Sequence, residues 1–166
     1  MPNLQSWESR FFITEILGAI FNTIALHTGG WGILTDRCFR PHTGVQTCIP
    51  RYSFETWCVI AMYATIVCTV SILIIRIIKR INPHVNIPKR PLILTVLVSI
   101  ATLLLFSVVI VYPVKANSTF KGYKSDLIHG ASLSLSYSYF LAVIAFVLMA
   151  VSTIFGYFMI REQTKY

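Results

Sequence analysis

Charge is the scarcest commodity in this chain. Only 12% of its 166 residues are Asp, Glu, Lys or Arg, about half of the roughly 25% usual in soluble domains. A soluble helix needs a wet face, and charge would then be spread along every helix. Here it lies almost wholly between apolar runs, which excludes an ordinary soluble fold. Chemistry-bearing groups are equally sparse. The four histidines, His27, His42, His84 and His129, fall in different segments. There are no paired carboxylates, no metal-ligand spacing and no glycine-rich phosphate loop. No enzymatic activity, metal or cofactor is expected. No cleavable signal peptide is expected in the first run either: Glu8 accompanies Arg10 at the start, Glu15 interrupts the apolar core, and Ala25-Leu26-His27 is a poor cleavage site.

What the chain has is hydrophobic length. It is 55% hydrophobic, with a mean hydropathy of +0.70. Apolar runs fall at about residues 11–27, 57–78, 92–114 and 133–160. At about 1.5 Å per residue the last three reach across roughly 30 Å of hydrocarbon. The first is shorter and reads as a retained span that also targets the chain. The expected architecture is an all-α membrane protein: a left-handed bundle of four transmembrane helices forming a single domain over residues 1–166. Outer loops are expected at about 29–55 and 115–131, with a cytoplasmic loop at about 79–91.

Net charge is +8, but its placement argues for membrane headgroups and against nucleic acid. Arg76, Lys79, Arg80, Lys89 and Arg90 cluster around a turn marked by Pro83, Pro88 and Pro91, with no acid among them. The positive-inside rule places that turn in the cytoplasm. Both termini follow, adding Arg10, Arg161 and Lys165, against Arg37, Arg40, Arg51, Lys115, Lys121 and Lys124 outside. A multi-pass plasma-membrane protein with both termini cytoplasmic is the expectation.

Two features of the loops agree with that sidedness. Cys38 and Cys48 flank Thr43-Gly44, and a hairpin there would bring them within bridging range. The alternative is two free thiols. Asn117-Ser118-Thr119 is an acceptor sequence for N-glycosylation in the second outer loop, which also holds Phe120 and Tyr123. Trp31-Gly32-Ile33-Leu34 and Val45–Ile49 are candidate strands. Trp31, Trp57 and Tyr112 suit the interfacial aromatic belt. Cys58 and Cys68, ten apart in the second span, read as packing residues.

Four spans, a short basic middle loop, and Trp31-Gly32-Ile33 followed by Cys38 and Cys48 resemble the claudin, peripheral-myelin-protein, epithelial-membrane-protein and channel gamma-subunit superfamily. Ser136–Ala142 with Ile144–Leu148 is similar to the final span of its gamma-subunit and epithelial-membrane branch. The resemblance implies that Cys38 and Cys48 form the family disulfide, stapling a small extracellular β-structure, and that Trp31 and Gly32 stand for the family motif. Two departures narrow it: no Trp stands in the Gly-Leu-Trp place before the first Cys, and the first outer loop is shorter than a claudin's. Together these point to recognition of another integral membrane protein. The first reading is an accessory subunit of a channel or receptor. The alternative is a cell–cell junction or adhesion protein of claudin type, and a small transporter or pore is remote. Partners would be a channel, a receptor, a claudin-like molecule or a second copy, with membrane lipids around them.

Glu15 is the one acid placed well inside a span, where an ionised carboxylate costs on the order of 2.5–3.5 kcal/mol. Little more than a turn into the run, it is expected either to reach the cytoplasmic interface near Arg10 or to meet a partner's basic residue. Asn22, seven residues on, shares its stripe. Partner contacts are assigned to Glu15, Asn22, Trp31, Phe120 and Tyr123. Gly18, Ala19, Ser71, Ser134, Ser136, Ser138 and Gly156 suit close helix packing. The C-terminal Gln163–Tyr166 resembles a PDZ ligand.

Overall fold

The computed structural model describes residues 2–28, 38–39, 47–48, 53–82, 84, 89–123 and 137–164, with side chains described for 5–28, 53–82, 84, 89–115 and 137–164. Four long helices dominate: α1 Pro2–His27, α2 Ser53–Ile81, α3 Arg90–Tyr123 and α4 Tyr137–Gln163. Each contains a stretch long and apolar enough to cross a membrane: Gln5–His27, Ser53–Ile81, Arg90–Lys115 and Tyr137–Gln163. Between α1 and α2 lie two-residue strands, β1 Cys38–Phe39 and β2 Thr47–Cys48, paired antiparallel with Cys38 opposite Cys48 and Phe39 opposite Thr47. Among the described residues this ladder is the only β-structure. Trp31-Gly32-Ile33-Leu34 lies outside them.

Consecutive helices run antiparallel, and α1 closes the ring against α4. The contacts set the registers. Phe11 meets Ser152, Gly18 meets Met149 and Thr28 meets Ser138 along α1 and α4. Along α3 and α4, Gly156 meets Thr95, Thr153 meets Thr102 and Tyr139 meets Val109. The α1/α4 pairing is the most extensive in the bundle, and α1/α2 is the thinnest of the four neighbouring pairs. One end of the bundle carries the α1 and α3 N-termini and the α2 and α4 C-termini, and with them Arg76, Lys79, Arg80, Lys89, Arg90 and Arg161. The opposite end carries the ladder.

The buried positions of α4 are Ser138, Ala142, Ala145, Met149, Ser152, Gly156 and Met159. Those of α3 are Leu94, Val98, Ala101, Leu105, Val108 and Tyr112. Both advance by alternating steps of four and three, a repeat of 3.5. An ideal helix turns once per 3.6 residues, and a repeat of 3.5 is the spacing that favours a left-handed crossing. Side chains as apolar as those inside, such as Ile100, Leu103, Val67 and Val147, face outward on every helix. That exposure suits hydrocarbon and would be untenable in water.

Helix approach is set by small residues. A Cβ at Gly156 would sit 2.6 Å from Thr95 Oγ1, and one at Gly18 would sit 3.2 Å from Met149 Cγ. Both positions hold glycine because a neighbouring helix occupies the space. Pro113 lies inside α3. It has no N–H to give the Val109 carbonyl four residues back, and the Tyr139 hydroxyl of α4 donates to that carbonyl instead, at 3.1 Å. At the α3 start, Pro91 occupies the first turn, where a missing N–H is harmless. Lys89 just before it adopts φ 55°.

Several details lie beyond the reach of the sequence. The helix that holds the first apolar run starts well ahead of it, at Pro2, where Trp7 stacks on Phe158 at 4.9 Å and packs on Phe155 at 5.8 Å. Polar residues ahead of the apolar run are thereby held in the helix. Tyr112 occupies a stripe position, is buried, and stacks on Tyr139 at 6.2 Å. Trp57 is exposed at the ladder end of α2. Finally, α3 runs past the second loop's expected start to Tyr123.

Candidate functional site

The residues singled out for function fall into three places. At the ladder end, β1 and β2 put Cys38 and Cys48 directly opposite each other. Facing Cα atoms in an antiparallel pair lie about 4.5–5.5 Å apart, within the span a disulfide bridges. Their side chains lie outside the described ones. Trp31 and Gly32 lie outside the described residues altogether. Asn117, Phe120 and Tyr123 have helical backbone in the continuation of α3, and their side chains are likewise not described.

The second place is the basic end, where aromatic and ionic contacts tie the helix termini together. Arg90 Nη2 donates to Glu8 Oε1 at 2.7 Å, linking α3 to α1. The pair is partly exposed, which limits it to about 0–1 kcal/mol. Arg10 lies over the Trp7 ring at 5.2 Å. Thr164 closes the far end of α4 by donating its hydroxyl to the Ile160 and Arg161 carbonyls. A PDZ groove takes an extended peptide, so Thr164 would first have to leave this turn. Lys165 and Tyr166 lie outside the described residues.

The third place is a polar seam between α1 and α2 in the middle of the bundle. Glu15 and Asn22 are both 0% exposed, as is Thr65, and Thr69 is 4% exposed. Glu15 lies four residues into the apolar run that begins at Phe11, in a helix that already starts at Pro2, and it is packed inside the bundle; Arg10 lies over the Trp7 ring. Asn22 Nδ2 donates to the Met62 carbonyl at 3.2 Å, leaving Oδ1 without a donor. Neither oxygen of Glu15 accepts a hydrogen bond. Thr69 and Arg76 of α2 are its electrostatic neighbours. Arg76 places its guanidinium 3.8 Å from the Phe12 ring centre. Partner contact through Glu15 or Asn22 would require this seam to open, since α1 and α2 together cover both.

Thr65 and Thr69 were not singled out from the sequence. On α2 they are single hydroxyls in an apolar run, and only the Glu15 partner across the seam gives them meaning. A signal did exist: Cys58, Met62, Thr65, Thr69 and Ile72 keep the three-and-four spacing of a packed stripe. Cys58 is buried, Cys68 is half-buried, and both are free thiols. Among the described residues, no group of three or more His, Cys, Asp or Glu is placed to hold a metal ion.

Four membrane-length helices in a closed ring, with a two-strand ladder between the first and second, define a four-span membrane protein of claudin-like architecture. A family model described as tight junction protein, claudin-like, matches residues 8–164; the chain belongs to that family. No curated protein and no solved structure gives a match.

Proposed function

We propose that this protein works by recognition, assembling at the ladder end with another integral membrane protein as an accessory subunit of a channel or receptor. The observation that carries the reading is the continuation of α3 beyond its span. The apolar run of this span ends at Val114, and the helix continues nine residues further, to Tyr123, about 14 Å at about 1.5 Å each. That continuation lifts Asn117, Phe120 and Tyr123 clear of the apolar segment on a rigid support. Aromatic residues on rigid elements are the usual anchors of protein interfaces. The ladder stands at the same end, and a Cys38–Cys48 disulfide would staple it. Sidedness follows from charge: the basic end faces the cytoplasm, which leaves the ladder in the oxidising compartment that disulfides require.

A junction role is the second reading, favoured by the family's description as a tight junction protein. The short segment between α1 and α2 favours the first. Purification of the tagged chain in gentle detergent, with mass spectrometry of what remains bound, separates them. One channel or receptor at constant stoichiometry supports the accessory subunit, and Phe120→Ala with Tyr123→Ala should then lower its recovery severalfold. Recovery of the chain alone, in oligomers that concentrate at contacts between two expressing cells, supports the junction reading.

A further inference from the structure

We propose that the basic end of the bundle holds the headgroup of an anionic phospholipid bearing a phosphomonoester, in a mouth lined by Arg76, Lys79 and Arg90. The lining follows from the stripe spacing. On α2 the buried positions Met62, Thr65, Thr69 and Ile72 continue by steps of four and three to Arg76 and Lys79. Both are half-buried, while Ile77, Ile78 and Arg80 beside them are exposed. On α3, Arg90 is half-buried four residues before the buried Leu94. The inward stripes of both helices therefore turn basic where they leave the apolar run. Contacts across the ring bring these bases together. The register that pairs Asn22 with Met62 and Glu15 with Thr69 sets Glu8 of α1 opposite Arg76. Glu8 also accepts from Arg90 Nη2 at 2.7 Å. Because α1 and α3 stand on opposite sides of the ring, that bond crosses the middle of the mouth.

The donors of this mouth exceed its acceptors. Arg90 Nε is a buried donor with no acceptor. Arg76 is held over the Phe12 ring, and its electrostatic neighbour Glu15, one turn further along α1, accepts no hydrogen bond. A guanidinium held over a ring keeps N–H groups for an oxygen acceptor. Charge is also in surplus. Glu8 and Glu15 match Arg76 and Arg90, but no acid occurs from Arg76 to Leu94 in the sequence, and Lys79 adds to the mouth as Arg80 and Lys89 add to its rim. On α4, Arg161 and Glu162 cancel. Fixed positive charge between the cytoplasmic ends of spans suits an anionic headgroup. Paired guanidinium donors fit phosphate oxygens, and a phosphomonoester carries nearly twice the charge of a phosphodiester. The exposed Ile77, Ile78 and Ile81 beside the mouth give acyl chains an apolar flank that a free phosphate would not use. The site is separate from the ladder end and does not depend on a partner bound there.

The test is binding of a fluorescent short-chain phosphatidylinositol bisphosphate to the full chain in mild detergent, read by fluorescence polarisation. Saturable binding is expected. Arg76→Gln and Arg90→Gln should each weaken it about tenfold, the effect of losing a charged hydrogen bond. Arg80→Gln and Lys89→Gln on the rim should each weaken it only about twofold, as exposed charges do. Arg76→Lys keeps the charge but loses the guanidinium fork, and it should still bind several-fold more weakly than wild type. Equal losses at mouth and rim mean diffuse attraction to a basic surface and overturn the site, as does the absence of saturable binding. Inositol trisphosphate competing as well as unlabelled lipid overturns the lipid source, and phosphatidylserine competing equally overturns the phosphomonoester. Should the mouth variants not fold, the wild type decides in nanodiscs. Its Tm should be higher with the phosphoinositide than with phosphatidylserine at equal surface charge, and equal Tm values overturn the proposal.

Discussion

At the scale of single residues, the bundle repairs its own irregularities with side chains from neighbouring helices. Pro113 strips the Val109 carbonyl of its helical donor, and Tyr139 replaces it from α4. This makes Tyr139 and Pro113 a coupled pair. Tyr139→Phe should lower stability by about 1 kcal/mol, the worth of one net hydrogen bond. In a Pro113→Ala background the backbone N–H returns and the same change should cost little. A double-mutant cycle read by thermal unfolding in detergent checks this, and equal losses in both backgrounds would remove the coupling. Neither partner announces the other in the sequence. A proline in a span is common enough, but the tyrosine that satisfies its orphaned carbonyl is 26 positions away and becomes visible only when α3 and α4 are set in register.

At the scale of elements, residue volume decides how closely helices approach. Ser138, Ala142, Ala145, Ser152 and Gly156 form a stripe of small side chains along α4, partly legible in the sequence because all five are Gly, Ala or Ser and, with Met149 among them, the stripe recurs at three or four. The stripe on α3 was not legible. Leu94, Val98 and Leu105 inside are indistinguishable from Leu103, Ile100 and Val96 outside, since lipid and protein interior are equally apolar. Gly156→Ala should therefore destabilise by about 1–3 kcal/mol, the range for overpacking, because its Cβ would meet Thr95 Oγ1 at 2.6 Å. That hydroxyl is also anchored to the Pro91 carbonyl at 2.7 Å and cannot turn aside freely. Thr95→Ala should recover most of the loss when combined with Gly156→Ala, as measured by the Tm of the single and double variants.

At the scale of the whole molecule, the two ends of the bundle are chemically unlike. Bases gather where α2 and α3 meet and where the chain termini emerge, while Cys38 and Cys48 face each other at the other end. A disulfide closing that short loop is worth about 3 kcal/mol. Cys38→Ser and Cys48→Ser should each lower stability by that order, and the double variant should lose no more than either single one. The single Cys38→Ser variant also exposes the Cys48 thiol, which a membrane-impermeant maleimide should label on intact cells. Labelling that appears only after permeabilisation would reverse the assigned sidedness.

Hydrophobic length and the position of charge determined, from the sequence alone, that this chain has four membrane spans, which loop carries the basic cluster, and that Cys38 and Cys48 belong together near a turn. These are local quantities, summed along the chain, and the bilayer reads them locally. Where α1 begins was not among them: Trp7 and Glu8 are helical because Phe158, Phe155 and Arg90 receive them from other helices. Glu15, a few residues further on, is packed inside the bundle. Its neighbours there, Thr69 and Arg76, come from α2. Which face of an all-round apolar helix turns inward depends on the shape of the surfaces it meets, and shape complementarity exists only once two helices are side by side.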